Sequence, residues 1–160
     1  GAMSDVARRV LEVTAQCILR TAESLPSGFD SAVAAILATE GRLMFCGLGK
    51  SGIICRKLAA TFSSTGTPAY FVHASDALHG DLGMVHRSDT VVGISHSGGT
   101  EELVNLVERT KRHGATLIAM TGNSASALAQ HADVVLAYEV PEEGGPMGLA
   151  PMASTSVAVK

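Results

Sequence analysis

Hydroxyls, glycines and carboxylates stand together in Ser95-His96-Ser97-Gly98-Gly99-Thr100-Glu101-Glu102. Hydroxyl groups and backbone N–H groups at a helix start form a cup of neutral donors that suits a phosphate without a large basic patch. An N-cap on Ser97 or Thr100 accounts for one hydroxyl, whereas Ser95, Ser97 and Thr100 together favour a ligand. Glu101 and Glu102 fall in the first helical turn, where the helix dipole favours carboxylates by about 0.3–1 kcal/mol with no further role. Beside a bound phosphosugar, either one has the chemistry of a general base.

A second glycine turn, Gly47-Leu48-Gly49-Lys50-Ser51-Gly52, matches the dinucleotide pattern G-x-G-x-x-G, but the acidic residue expected after the next strand is missing. That strand ends Val72-His73-Ala74, with Asp76 lying beyond it. A Walker loop is excluded because Met44 stands where its first glycine belongs. A tight turn packing helix on strand explains the glycines but not Lys50 and Ser51. Gly49 and Ser51 therefore join Ser95, Ser97, Gly98 and Thr100 as candidate phosphate ligands. His79, in Asp76-Ala77-Leu78-His79-Gly80-Asp81, is a further candidate at the same edge. His73, His86, His96, His113 and His131 share no regular metal-ligand spacing with it, so neither a metal nor a cofactor is expected.

Five short apolar runs, at 43–46, 69–72, 91–94, 117–120 and 134–137, must carry these turns. They are continuous rather than alternating, as strands buried on both faces require. Between them, Ile54, Leu58 and Phe62 mark one helical stripe, and Leu103, Leu106 and Val107 mark another that ends at Lys111-Arg112-His113-Gly114. Residues 125–131 form a short third connection. Ahead of them, Val6, Val10, Val13 and Cys17, then Phe29, Val33, Ile36 and Leu37, predict two leading helices separated by Leu25-Pro26-Ser27-Gly28. The expectation is an α/β protein with a five-stranded parallel sheet and ligands at the carboxyl ends of its strands.

The 160 residues suit one domain that buries roughly 70% of its unfolded surface. A formal net charge of −3 gives no electrostatic footprint for nucleic acid or an anionic membrane, and no apolar run approaches the roughly 20 residues of a membrane span. Cys17, Cys46 and Cys55, an odd set with no close pair, point to a reducing cytoplasmic setting. Gly1-Ala2-Met3 reads as a tag remnant, leaving 4–160 as a single domain, and the end at Lys160 reads as a fragment boundary.

The strings GLGKSG, STGTP (64–68), HGDLGM (79–84), SHSGGTEE, LIAMTG (117–122) and LAPMAST (149–155) resemble, in order, the SIS (sugar isomerase) domain family, and within it the arabinose 5-phosphate isomerases. The resemblance covers about residues 30–160 and implies a three-layer αβα, flavodoxin-like fold. It implies interconversion of D-arabinose 5-phosphate and D-ribulose 5-phosphate through an enediol, supplying the sugar acid Kdo of lipopolysaccharide. Lys50, His79 and Glu102 fall on the family's active-site positions. Glu102 is then the proton-transfer base, Lys50 a cation near the sugar oxygens, and His79 a ring-opening group or proton carrier, the last two roles being exchangeable. A homotetramer with sites shared between subunits is implied as well.

Departures from the family pattern are His96 for Asn, Gly99 for Glu, Gly145 for Cys and Met152 for Thr. A further family histidine would lie beyond Lys160, as would the CBS domains of many members, so weak turnover by this chain is expected. The rival expectation is a phosphosugar-sensing SIS module without catalysis, or an isomerase of another sugar phosphate. The sensor lacks support because the two leading helices carry no basic recognition surface.

Overall fold

The computed structural model describes residues 2–77 and 80–139. The chain divides into two compact units, residues 1–26 with 138–160, and residues 27–137. Of the first, the described part is chiefly helix α1 (Ala2–Glu23), whose Cys17 is buried. The expected break follows it at Pro26 and Gly28.

The second unit opens with α2 (Phe29–Leu37) and then alternates: β1 (Leu43–Gly47), α3 (Gly49–Ser64), β2 (Ala69–His73), α4 (Ala74–Ala77), a 3₁₀ turn (Asp81–Met84), β3 (Thr90–Ile94), α5 (Glu101–Arg112), β4 (Thr116–Thr121), α6 (Ala127–His131) and β5 (Val134–Ala137). All strand pairs are parallel and the order is β2-β1-β3-β4-β5, so every expected strand and its direction are borne out. Every residue of β1 and β3 is buried, whereas the edge strands β2 and β5 are mostly half-buried. Burial on both faces is why these runs are continuously apolar.

Alternation of side chains along each strand splits the core in two. Met44, Cys46, Val91, Leu117 and Ala119 meet Leu103, Leu106, Val107 and Leu128 of α5 and α6 on one face. Phe45 faces the other way, its ring centroid 5.5 Å from that of Phe62 on α3. Helices α2 and α3 thus cover one face and α4, α5 and α6 the other, giving the three-layer αβα arrangement expected.

The segment after β2 forms the short α4, whose Ala74 and Ala77 are buried, and the 3₁₀ turn. Both pieces are too brief for a helical period to register in sequence. The route into β3 is tied by Asp89, a buried carboxylate that accepts the N–H groups of Arg42 and His86, each at 2.8 Å. Among the described residues, no helix is long and apolar enough to cross a membrane.

Candidate phosphosugar site

Strand order creates the site. From β1 the chain crosses to β2 on one side, then returns to β3 on the other, so the loops leaving β1 and β3 diverge and open a crevice at the carboxyl ends of adjacent strands. Both glycine turns occupy this point. They are in direct touch, since a Cβ on Gly47 would stand 3.0 Å from the carbonyl oxygen of Ile94.

In the first turn the glycines have separate roles. Gly47 and Gly52 allow α3 to approach its strand: a Cβ on Gly52 would stand 3.1 Å from Gly47 O, and one on Gly47 3.1 Å from Cys55 Sγ. Gly49 faces open space but has φ +54°, a backbone region that L side chains avoid. The packing explanation therefore holds for Gly47 and Gly52, and a conformational one for Gly49. Neither reaches Lys50, which is exposed in the first turn of a helix that has no acidic residue there. A cation at a helix N-terminus is disfavoured by about 0.3–1 kcal/mol, so Lys50 is placed against local preference, where a bound anion would compensate it. Leu48 occupies the N-cap position of α3 and offers no side-chain cap, which leaves first-turn N–H groups directed at the crevice.

The second turn is organised by its own hydroxyls. Ser95, 6% exposed, accepts the Gly98 N–H at 3.0 Å, and its Oγ lies 3.2 Å from Thr100 Oγ1. Thr100 is the N-cap residue of α5, yet its side chain makes no cap hydrogen bond. Simple capping thus does not explain the hydroxyls. Ser97 is exposed, and its Oγ accepts the Gly99 N–H at 3.3 Å. The three hydroxyls lie at different depths: Ser95 beneath the turn, Thr100 beside it, Ser97 at the mouth.

Helix phase separates the two glutamates. The buried side of α5 carries Leu103, Leu106, Val107 and Thr110. At about 100° per residue, Glu102 lies on the flank of that side and Glu101 about opposite to it, so Glu102 is the nearer of the two to the packed side, both carboxylates being exposed. His79 lies outside the described residues. The turn that follows it is held from behind, where Arg42 Nη2 donates to Met84 O at 2.9 Å.

Sequence reading passed over His73. It ends β2 in register with Gly47, and its Nδ1 is buried with no hydrogen-bond partner among the described residues. Its position as the last residue of a strand beside a glycine turn was the available signal; metal-ligand spacing was the wrong criterion. His96 packs its ring over Gly122, whose Cβ would stand 2.7 Å from the imidazole Nδ1. Among the described residues, no group of three or more His, Cys, Asp or Glu is arranged to hold a metal ion.

Burial pushes the Cys46 thiol well above its ordinary range, with the neighbouring Cys55 adding to the effect, and raises Cys55 to about 12. Both are held as neutral packing groups behind the turns, with no nucleophilic character.

The SIS domain family model matches residues 36–159. The arabinose 5-phosphate isomerase KdsD of Pseudomonas aeruginosa is 48% identical over 131 residues, which is 82% of this chain and 40% of that protein. The enzyme of the same name from Escherichia coli K12 is 41% identical over 152 residues, 95% of this chain and 46% of the relative. The chain therefore spans less than half the length of these curated relatives. A solved structure from Escherichia coli CFT073, in complex with arabinose 5-phosphate, aligns with a TM-score of 0.94 at 38% identity, covering 99% of this chain and 84% of that one. Paired glycine turns at the switch point of a 2-1-3-4-5 sheet, a family match over most of the sequence and a shared fold lead to one conclusion: the chain belongs to the SIS domain family.

Proposed function

We propose that the crevice binds an aldopentose phosphate and that the protein of which this chain is the SIS domain interconverts D-arabinose 5-phosphate and D-ribulose 5-phosphate. The observation that carries the reading is the meeting of two helix starts, α3 and α5, neither with a side-chain cap bond, at one switch point. By contrast, α6 is capped, Ser126 accepting the Ala129 N–H. Uncapped N–H groups, Ser51, Ser97 and Thr100 suit the dianionic phosphate. The isomerases to which the chain is similar, and the arabinose 5-phosphate bound in its structural relative, support the pentose.

In this reading, the Glu102 carboxylate takes the proton from C2 of the open aldose and returns it to C1, passing through a cis-enediol. Lys50 stabilises charge on the sugar oxygens, and His79 opens the ring or carries a proton between O1 and O2. His73 Nδ1, buried and unpartnered at the same sheet edge, is proposed as a further polar contact to the sugar. No metal or other cofactor enters these steps.

The protein is proposed to work in the cytoplasm, consistent with its three cysteines, each buried and none in a disulfide. It is also proposed to assemble as a homotetramer, supported by Phe29, Val33 and Leu37, which recur every fourth residue along α2 and are exposed.

The deciding experiment is an isomerase assay on the longest reading frame containing this chain. Glu102→Gln is expected to lower kcat by at least a thousandfold while arabinose 5-phosphate binding persists. Turnover unchanged by that substitution would remove Glu102 from the mechanism.

A further inference from the structure

The carbonyl groups of the second glycine turn are held from outside it. His96 O accepts the Gly122 N–H at 3.0 Å and the Thr121 hydroxyl at 3.3 Å. Gly98 O accepts the Leu128 N–H, a first-turn donor of α6, at 3.0 Å. Both acceptors therefore face the connection between β4 and α6. The peptide unit is planar and trans, so the carbonyl of one residue and the N–H of the next point in opposite directions. Fixing His96 O and Gly98 O toward that connection turns the Ser97 and Gly99 N–H groups away from it; Ser97 Oγ takes the Gly99 N–H at 3.3 Å, which leaves the Ser97 N–H for the crevice.

The same connection also constrains the turn by contact. Gly98 has φ +65°, and a Cβ there would overlap Ser126 Oγ and Cβ and stand 2.8 Å from Thr121 Oγ1. Thr121 is fully buried, and its hydroxyl, besides donating to His96 O, accepts the Asn123 N–H at 3.1 Å. Ser126, also buried, caps α6 through Ala129 N and so fixes the helix whose Leu128 N–H grips Gly98 O.

We propose that Thr121 and Ser126 are positioning residues for the phosphate site: by holding the carbonyls of His96 and Gly98 and the α-carbon of Gly98, they aim at the ligand the Ser97 N–H and the Ser97 hydroxyl that the Gly99 N–H holds. They touch no substrate. This rests on the reading of the turn as a sugar-phosphate site. Thr121 is the sharper probe, because valine preserves its shape and removes only the hydroxyl, while serine restores the hydroxyl and removes only the methyl.

Dissociation constants for arabinose 5-phosphate and inorganic phosphate are measured by titration calorimetry on wild type, Thr121→Val and Thr121→Ser, with circular dichroism confirming a folded chain. Thr121→Val should weaken both ligands at least fivefold, and Thr121→Ser should stay within twofold of wild type. Equal affinity of Thr121→Val and wild type would overturn the proposal. So would equal weakness of the valine and serine variants, which would assign the effect to methyl packing. Should Thr121→Val not fold, the wild type decides by amide NMR: inorganic phosphate should shift the Ser97 and Gly99 resonances, and unmoved resonances would overturn the proposal. A wild type that binds no sugar phosphate would sink the functional reading itself, a result distinguishable from both.

Discussion

Ser95 Oγ lies 3.2 Å from Thr100 Oγ1 and receives the Gly98 N–H, so the last residue before the turn and the N-cap of the next helix close the turn over a buried hydroxyl. Ser95 accordingly carries a structural load that Ser97, exposed at the mouth, does not. Ser95→Ala leaves a buried N–H without its acceptor and should cost about 1–3 kcal/mol of stability. Ser97→Ala should stay within about 0.5 kcal/mol of wild type. Urea unfolding of both variants checks the difference, and equal stabilities would contradict it.

The glycines of the first turn should respond according to their separate roles. Gly52→Ala brings a methyl to 3.1 Å from Gly47 O and should cost about 1–3 kcal/mol through overpacking. Gly49→Ala meets no atom and should cost only about 1–2 kcal/mol of backbone strain. Gly49→Asn should recover part of that loss, since Asn tolerates positive φ. Chemical denaturation provides the comparison, and an asparagine variant no more stable than the alanine one would contradict the conformational explanation.

Asp89→Ala removes the acceptor of both the Arg42 and His86 N–H groups and should destabilise by roughly 1–3 kcal/mol per orphaned donor. Arg42→Met should cost far less, because its guanidinium is half exposed and 4.0 Å from the carboxylate, where an ion pair contributes about 0–1 kcal/mol. Thermal unfolding of the two variants should rank them in that order.

Cys46 and Cys55 should be inert to a thiol reagent at neutral pH until the protein unfolds, in keeping with their burial. The sign for stability follows from Cys55, whose pKa rises from the ordinary 9.0 to about 12 on folding. The unfolded state releases its proton first, so the thiol's contribution is complete below pH 9.0 and declines as pH rises from there toward 12. Cys55→Ala should therefore show a shallower alkaline loss of stability than wild type. An unchanged alkaline limb would contradict this assignment.

Leu37→Glu on the exposed stripe of α2 should shift the assembly toward smaller species in multi-angle light scattering while preserving the circular dichroism spectrum. An unchanged mass would contradict the use of this face in assembly.

The sheet was legible because parallel strands buried on both faces are written as unbroken apolar runs, as in Leu43-Met44-Phe45-Cys46. The two glycine turns were legible because each carries groups, Lys50 and the hydroxyls of Ser97 and Thr100, beyond what a turn needs. Depth was not legible: nothing in the string SHSGGT separates the buried Ser95 from the exposed Ser97. Nor was the support from Thr121 and Ser126, which are distant in sequence and join the turn only through sheet order. His73 escaped notice because its significance lies in an unpartnered buried nitrogen, a property of packing and not of spacing.

The central claim is that the crevice recognises the phosphate of a pentose phosphate. Calorimetric titration of the wild-type chain with arabinose 5-phosphate, with unphosphorylated arabinose as the paired control, tests it most directly. Saturable binding of the phosphorylated sugar, displaced by inorganic phosphate and weakened at least tenfold by Ser97→Ala, is the expected result, with no binding of arabinose. Equal binding of the two sugars, or none of either, would contradict it.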